Sequence, residues 1–333
     1  MEELITLDYG SGGKKTASLI EKLILPQLDN PALRQLGDGA VVPGGEELVF
    51  STDSFVVSPR FFPGGDIGKL AVCGTVNDIC MSGGEPRWLS LALILEEGLP
   101  AAELEQILSS VAKAAKEAGV CIVTGDTKVV EKGRGDGIYI NTAGIGVLRQ
   151  PGLSPRAIRP GDRVLVSGTV GDHGAAVMLA RNQNLVQGEL KSDCAPLHRL
   201  CAALRQLGSG LRVLRDPTRG GVATTLCEFV EGTALSILLE EEAIPVRPAV
   251  ASACDILGLD PLYCANEGKL LAVVAPERAE EALALLRGLP EGENAAVIGT
   301  VGEQWPGRVA VRTALGGTRI AAKLAGAQLP RIC

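Results

Sequence analysis

STDSFVVSPRFFPGGDIGKLAVCGTVNDICMSGGEP (51–86) passes from a strand through a turn into a helix, and carries acids into apolar surroundings on the way. Its first part belongs to LVFSTDSFVV (48–57), a strand interrupted by Asp53. From 66 to 84 apolar residues recur at helical spacing, at Ile67, Leu70, Ala71, Val72 and Val76, and the run stops at a glycine pair. Asp78 lies inside that helix. A carboxylate in an apolar strand or helix is costly unless it is paired or holds a cation. The stretch therefore predicts a strand–helix unit built around a polar site.

The same alternation extends on both sides. RWLSLALIL (87–95), 120–130 and 137–148 read as strands, and 101–118 as a charged amphipathic helix ending at Gly119. QPGLSPRAIRPGD (150–162) is rich in Pro and Gly and reads as a linker. A second round follows, with strands at 162–168, 211–221 (ending in a turn), 269–275 and 295–301 and helices at 171–183, 194–207, 218–231 and 277–288. Past Gly316 regular patterning is lost, which predicts a mobile tail that could reach on the order of 55 Å when extended. The expected architecture is α/β (α+β), with mixed sheets in two modules, 1–150 and 151–315, and a tail over 316–333.

Composition narrows the class. Hydrophobic residues make up 46% of the chain but aromatics only 3%, so the core must be built from Val, Leu, Ile and Ala. The net charge of −7 argues against a nucleic-acid surface. The start carries no basic n-region and no apolar run approaches a membrane span. Nine cysteines without a CxxC pair point to a reducing, cytoplasmic setting. The two histidines, His173 and His198, read as structural or surface groups. The polar chemistry must then come from carboxylates, lysines and backbone amides.

Four acids stand among apolar or Gly-rich neighbours: Asp38, Asp53, Asp78 and Asp126. Oxygen-only ligands suit Mg²⁺, commonly held by one or two carboxylates plus nucleotide phosphates. YGSGGKKT (9–16) suggests phosphate contact through backbone amides. It is not a P-loop, because the position five before Gly13 is Asp8. Lys128 admits two readings, a solvated turn lysine or a phosphate partner. RDPTRGG (215–221) and NEGKL (266–270) bring Asp216, Arg219, Glu267 and Lys269 to strand ends, where they could face the first half across a cleft. The chain ends LPRIC (329–333). Arg331, two residues from the Cys333 thiol, is expected to favour thiolate there.

Together these stretches resemble one family. The run 51–86, GDHGAAVMLAR (171–181), RDPTRGGVATTL (215–226), DPLYCANEGKLLAVV (260–274) and LPRIC are similar to the HypE family of hydrogenase maturation proteins, and the likeness spans almost the whole chain. That family sits in the ATP-using superfamily of aminoimidazole ribonucleotide synthetase. The resemblance implies a two-domain fold whose N-terminal domain dimerises through a β-barrel. It implies that a carbamoyltransferase, HypF, loads a carbamoyl group onto Cys333, and that ATP drives its dehydration to a thiocyanate. The cyanide would pass to iron on a HypC–HypD complex. The implied catalytic residues are Cys333, Glu267, Lys128 and Asp78. ATP would be held by Gly12, Gly13, Lys14, Asn77, Gly125, Thr127 and Lys128, and Mg²⁺ by Asp38, Asp53, Asp78 and Asp126.

Three rivals remain. A selenophosphate synthetase would carry a reactive Cys or selenocysteine near its start, but the first cysteine here is Cys73. A small-molecule kinase of the thiamine monophosphate kinase kind leaves Cys333 unexplained. A non-catalytic assembly factor leaves the acids and Lys128 unexplained.

Overall fold

The computed structural model describes residues 4–6, 18–31, 33–35, 44, 47–181, 190–323 and 331–333. In the first half, β1 (Leu48–Phe55), β4 (Gly84–Glu96), β5 (Cys121–Val130) and β6 (Ile138–Leu148) form a four-stranded sheet in the order β1-β6-β4-β5. Only β4 and β5 run parallel. A small ribbon, β2 (Phe61–Phe62) and β3 (Gly65–Asp66), leads into helix α1 (Ile67–Met81). Helix α2 (Ala101–Ala118) packs across α1 and ends at Gly119 in the left-handed conformation.

Helix α1 has no solvent face. Every residue but Lys69 and Asp78 is buried. A helix that is apolar all round belongs in a core, and α1 touches α2, three strands of its own sheet and elements of the second half. Asp66 starts it, accepting the Gly68 and Lys69 amides at 2.8 and 2.9 Å. Gly68 sits at the crossing with α2, where an added Cβ would lie 2.5 Å from the Ile107 carbonyl oxygen.

The second half is a seven-stranded sheet in the order β13-β12-β9-β11-β7-β10-β8. Its strands are β7 (Arg163–Val166), β8 (Leu211–Arg215), β9 (Ser236–Glu240), β10 (Leu271–Val274), β11 (Ala296–Gly302), β12 (Val309–Arg312) and β13 (Thr318–Ala321). The β9–β12 pair is parallel and the rest are antiparallel, so both sheets are mixed. Five helices cover this sheet: α3 (Asp172–Arg181), α4 (His198–Leu204), α5 (Gly221–Val230), α6 (Pro248–Leu257) and α7 (Ala279–Arg287). Strand alternation feeds two cores. Val164, Val166, Leu271 and Val273 face one with α5. Leu165, Ala272 and Val274 face the other, which runs on through α4 and α1 into the first half.

Several sequence expectations shift. Helices read from 194 and 218 begin at His198 and Gly221, after Pro-containing turns. Strands β9 and β12 and helix α6 were not expected. The two strands are four or five residues long and gain their identity from distant pairing partners. Strand β13 falls inside the stretch read as a patternless tail, where a four-residue edge strand leaves too short an alternation to see. Among the described residues no helix is long and apolar enough to cross a membrane.

The α1–α2 crossing is directly testable. Gly68→Ala should lower stability by about 1–3 kcal/mol, the usual range for overpacking. Asp66→Ala should lose about 1 kcal/mol for the cap. Urea midpoints measure both, and a Gly68→Ala midpoint equal to the parent's would show that the crossing is looser than described.

Candidate active site

Strand β1 alternates Ser51, Asp53 and Phe55 toward α1, with Phe50, Thr52 and Ser54 on the opposite face. Asp78, on the α1 face toward β1, accepts the Ser51 hydroxyl at 2.9 Å. Burial raises the pKa of both acids, and the negative charge of Asp78 adds to the effect on Asp53. Asp216, just after β8, comes to the same place from the second half. Burial first, then the charges of Asp78 and Asp53, push its carboxyl up to about 7. Glu267 lies beyond it, 2% exposed. Burial holds it well above the usual carboxylate range, with Cys194, Asp216 and Asp193 adding to the shift. Its Oε1 has no hydrogen-bond partner among the described residues.

Residues 331–333 close this cluster. The Val56 amide donates to the Cys333 carbonyl at 3.3 Å, and the Ser58 amide to the Arg331 carbonyl at 3.1 Å. Ile332 is buried. The Cys333 thiol lies 3.6 Å from the Arg219 guanidinium and feels the charges of Glu267 and Asp53. Burial leads, and with Glu267 it outweighs Arg219, so the thiol is pushed up to about 11. The expected thiolate beside Arg331 is therefore corrected. The Arg331 guanidinium is turned to Asp136 and the Val56 carbonyl instead.

Of the expected site residues, Asp53, Asp78, Glu267 and Cys333 come together. Asp126 and Lys128 do not join them. They pair with each other at 3.0 Å on β5, both largely exposed, and Lys128 holds the Asp126 carboxyl below its ordinary value. Strands β1 and β5 are opposite edges of the sheet, about 14 Å apart at three strand spacings. By register Asp126 also shares the face of Ala92 and Asn141, away from α1. Strand pleating, invisible in the local apolar context of VTGDTKV, thus separates it from Asp53.

Asn77 is engaged between the halves: its amide accepts the Leu197 amide at 2.8 Å and donates to the Ala195 and Glu267 carbonyls. Gly125 and Thr127 line an apolar pocket with Ile24, Leu91, Leu93 and Ile122. Gly125 also has a packing reason to be glycine, since a Cβ would stand 2.3 Å from the Leu91 carbonyl oxygen. Gly12, Gly13, Lys14 and Asp38 lie outside the described residues.

Sequence reading placed Asp216 and Arg219 facing the first half but did not count them among the site residues, and they do reach the site. It missed Asp193, whose carboxylate accepts the Glu267 amide at 3.0 Å, and it left His173 as a structural group. No three metal-ligating side chains converge among the described residues. Mg²⁺ asks for only one or two carboxylates beside phosphate oxygens. Asp53, Asp78 and Asp216 are hard oxygen donors whose charges repel one another, so one or two of them suit such an ion.

Fold and site define a class. Residues 36–148 match the N-terminal domain of AIR synthase related proteins, and residues 159–312 match their C-terminal domain. Within that class the chain belongs to the HypE family. It is 51% identical to carbamoyl dehydratase HypE of Cupriavidus necator over 99% of this chain and 95% of the relative. The crystal structure of hydrogenase maturation protein HypE in complex with ATP superposes with TM-score 0.94 at 50% identity, covering 98% of this chain and 99% of that one. HypE in a HypE–HypF complex gives TM-score 0.80 at 48% identity over 92% and 100%.

The docked thiol gives a pH signature. Docked Cys333 keeps its proton to about pH 11, against an ordinary value of 9.0. Between those values the undocked tail binds fewer protons, so rising pH draws the tail out. Alkylation of Cys333 should keep climbing from pH 9 to 11 in folded protein, yet level off near 9 in guanidinium. A plateau near 9 in both would contradict the buried thiol.

Proposed function

We propose that the chain is an ATP-dependent carbamoyl dehydratase of hydrogenase maturation whose substrate is a carbamoyl group on its own Cys333. The observation that carries this is the Cys333 thiol 3.6 Å from Arg219 and within reach of the charges of Glu267 and Asp53, with the buried Glu267 Oε1 lacking a hydrogen-bond partner among the described residues. The relatives named carbamoyl dehydratase, the ATP complex and the HypF complex support it.

The residues suit the steps. The carboxamide oxygen takes the γ-phosphoryl group of ATP, since oxygen leaves as phosphate far more readily than as hydroxide. Glu267 accepts a proton from the carboxamide nitrogen; its raised pKa makes the carboxylate a strong base. The C–O bond then breaks, the second nitrogen proton is lost, and S–C≡N and phosphate remain. Arg219 places positive charge beside the sulfur and the developing anion. Mg²⁺ held by one or two of Asp53, Asp78 and Asp216 beside the phosphate oxygens would neutralise phosphate charge. HypF is the donor that fits the loading step, and a HypC–HypD complex the acceptor of the cyanide. Free thiols throughout the described chain support a reducing, cytoplasmic setting.

The dimer reading rests on sheet geometry. Neither β1 nor β5 has a neighbour on its outer edge among the described residues. Phe50 (67% exposed), Ile145 and Trp88 stand abreast on the face away from α1. Two such sheets closing edge to edge would bury that face and leave no open edges. Strand β5 of a second copy would then lie beside β1, bringing Gly125, Asp126, Thr127 and Lys128 to Asp53.

Two experiments test this. Glu267→Gln should still be carbamoylated, but the loss of one water from the Cys333 peptide on adding ATP should slow by about 10²–10⁴-fold. Dehydration at the parental rate removes Glu267 from the mechanism. Mixing Glu267→Gln with Asp126→Asn through refolding should restore about a quarter of parental activity, because half the dimers are mixed and each then has one intact site. No recovery would mean that each chain is complete alone.

A further inference from the structure

We propose that His173 is the latch of the docked tail, a positioning residue that holds the Cys333 segment in the site through the Ile332 carbonyl. The inference rests on the reading that Cys333 carries the substrate, and it adds what keeps it in place.

His173 opens helix α3 and is fully buried, with its ring edge-on to Phe62 at 5.4 Å. Both ring nitrogens are engaged, Nδ1 with the Ser192 hydroxyl and Nε2 with the Ile332 carbonyl, each at 2.8 Å. A carbonyl can only accept, so Nε2 carries the hydrogen. Ser192 Oγ receives the Cys194 amide at 3.1 Å, which leaves its own hydrogen for Nδ1. The tautomer is thus fixed by a chain of donors running from the Cys194 backbone to the tail. Burial keeps the ring neutral, as this arrangement requires.

The ties of Arg331 are of a different kind. The Arg331–Asp136 pair, the Arg181 guanidinium on the Arg331 carbonyl and the Ser58 amide all lie at the half-exposed rim, where water can replace either partner. When the tail leaves, the His173 Nε2–H must be reached by water or stay buried and unpaired. That bond therefore discriminates between docked and undocked states more sharply than the rim contacts. It also holds the carbonyl next to the Cys333 amide, and so fixes the thiol relative to Glu267 and Arg219. A polar, conformationally fixed donor rather than an apolar clamp permits release, because the ring keeps its Ser192 bond when the tail departs.

The test is alkylation of full-length protein by iodoacetamide, read by mass spectrometry of each cysteine peptide. Cys121, exposed, reports reagent activity, and buried Cys194 and Cys201 report unfolding. His173→Phe, which keeps a ring but no donor, should raise Cys333 alkylation by about ten- to a hundredfold, the range of one buried unmade bond. His173→Gln places an amide nitrogen close to where Nε2 stands and should remain within about threefold of the parent. Ser192→Ala releases the tautomer and should fall between, so the test survives a poorly folding His173→Phe. In single-turnover dehydration of carbamoylated protein, His173→Phe should slow the step while carbamoylation by HypF is as fast or faster. Unchanged Cys333 alkylation in folded His173→Phe, or Gln no better than Phe, overturns the latch. If alkylation follows these expectations and even the parent fails to dehydrate, the latch stands and the proposed chemistry falls.

Discussion

Everything polar in this site depends on helix α1 having no side open to water. The first half packs it against β1 and α2, and the second half covers what remains. Two consecutive residues exploit that position. Asn77 points to the second half and joins it by bonds to the Ala195, Leu197 and Glu267 backbone. Asp78 points to β1 and meets Ser51 and Asp53. One helix thus sets the distance between the aspartates of one half and the glutamate of the other. A rigid, shared core makes opening of the two halves costly, so motion is left to the short docked segment.

The aspartates and Glu267 are electrostatically strained together. Each is partly or wholly taken from water, and neighbouring acid charges raise the pKa values of Asp53, Asp216 and Glu267 further. Such a cluster is stable only with protons or with added positive charge. Arg219 supplies some of it at the edge. The remaining deficit is chemically specific: it favours a hard cation with phosphate oxygens over a neutral ligand, and it keeps Glu267 avid for a proton.

Much of this could be read in the sequence where the signal was local. The strand, turn and helix of 51–86 follow from alternation and helical spacing, and the anomaly of Asp53 and Asp78 in apolar runs led to the site. Glu267 was visible as an acid before an apolar strand. What stayed out of sight was non-local. Asp126 has the same apolar neighbours as Asp53, but within one chain pleat parity and strand order put it on the other face and the other edge. Asn77 has a structural partner that its local sequence hides, since Leu197, far along the chain, donates to its oxygen. His173 finds its partner 159 residues away in a segment with no periodicity at all. Short strands such as β9 and β12 are likewise defined by partners rather than by their own pattern.

The tail docks through backbone hydrogen bonds, with the alternate amides of Val56 and Ser58 donating to it. Backbone pairing of this kind is blind to sequence; only the buried Ile332 and the thiol give selectivity. When the segment swings out, it leaves an extended edge and an apolar socket that any short peptide with a branched residue before a cysteine could occupy. The tether is the defence. A segment joined to its own receptor is present at an effective concentration on the order of millimolar, which free peptides in a cell do not reach. A tripeptide analogue would therefore inhibit only after the tail had been captured by another protein, which makes the loaded complex, rather than the isolated enzyme, the vulnerable state.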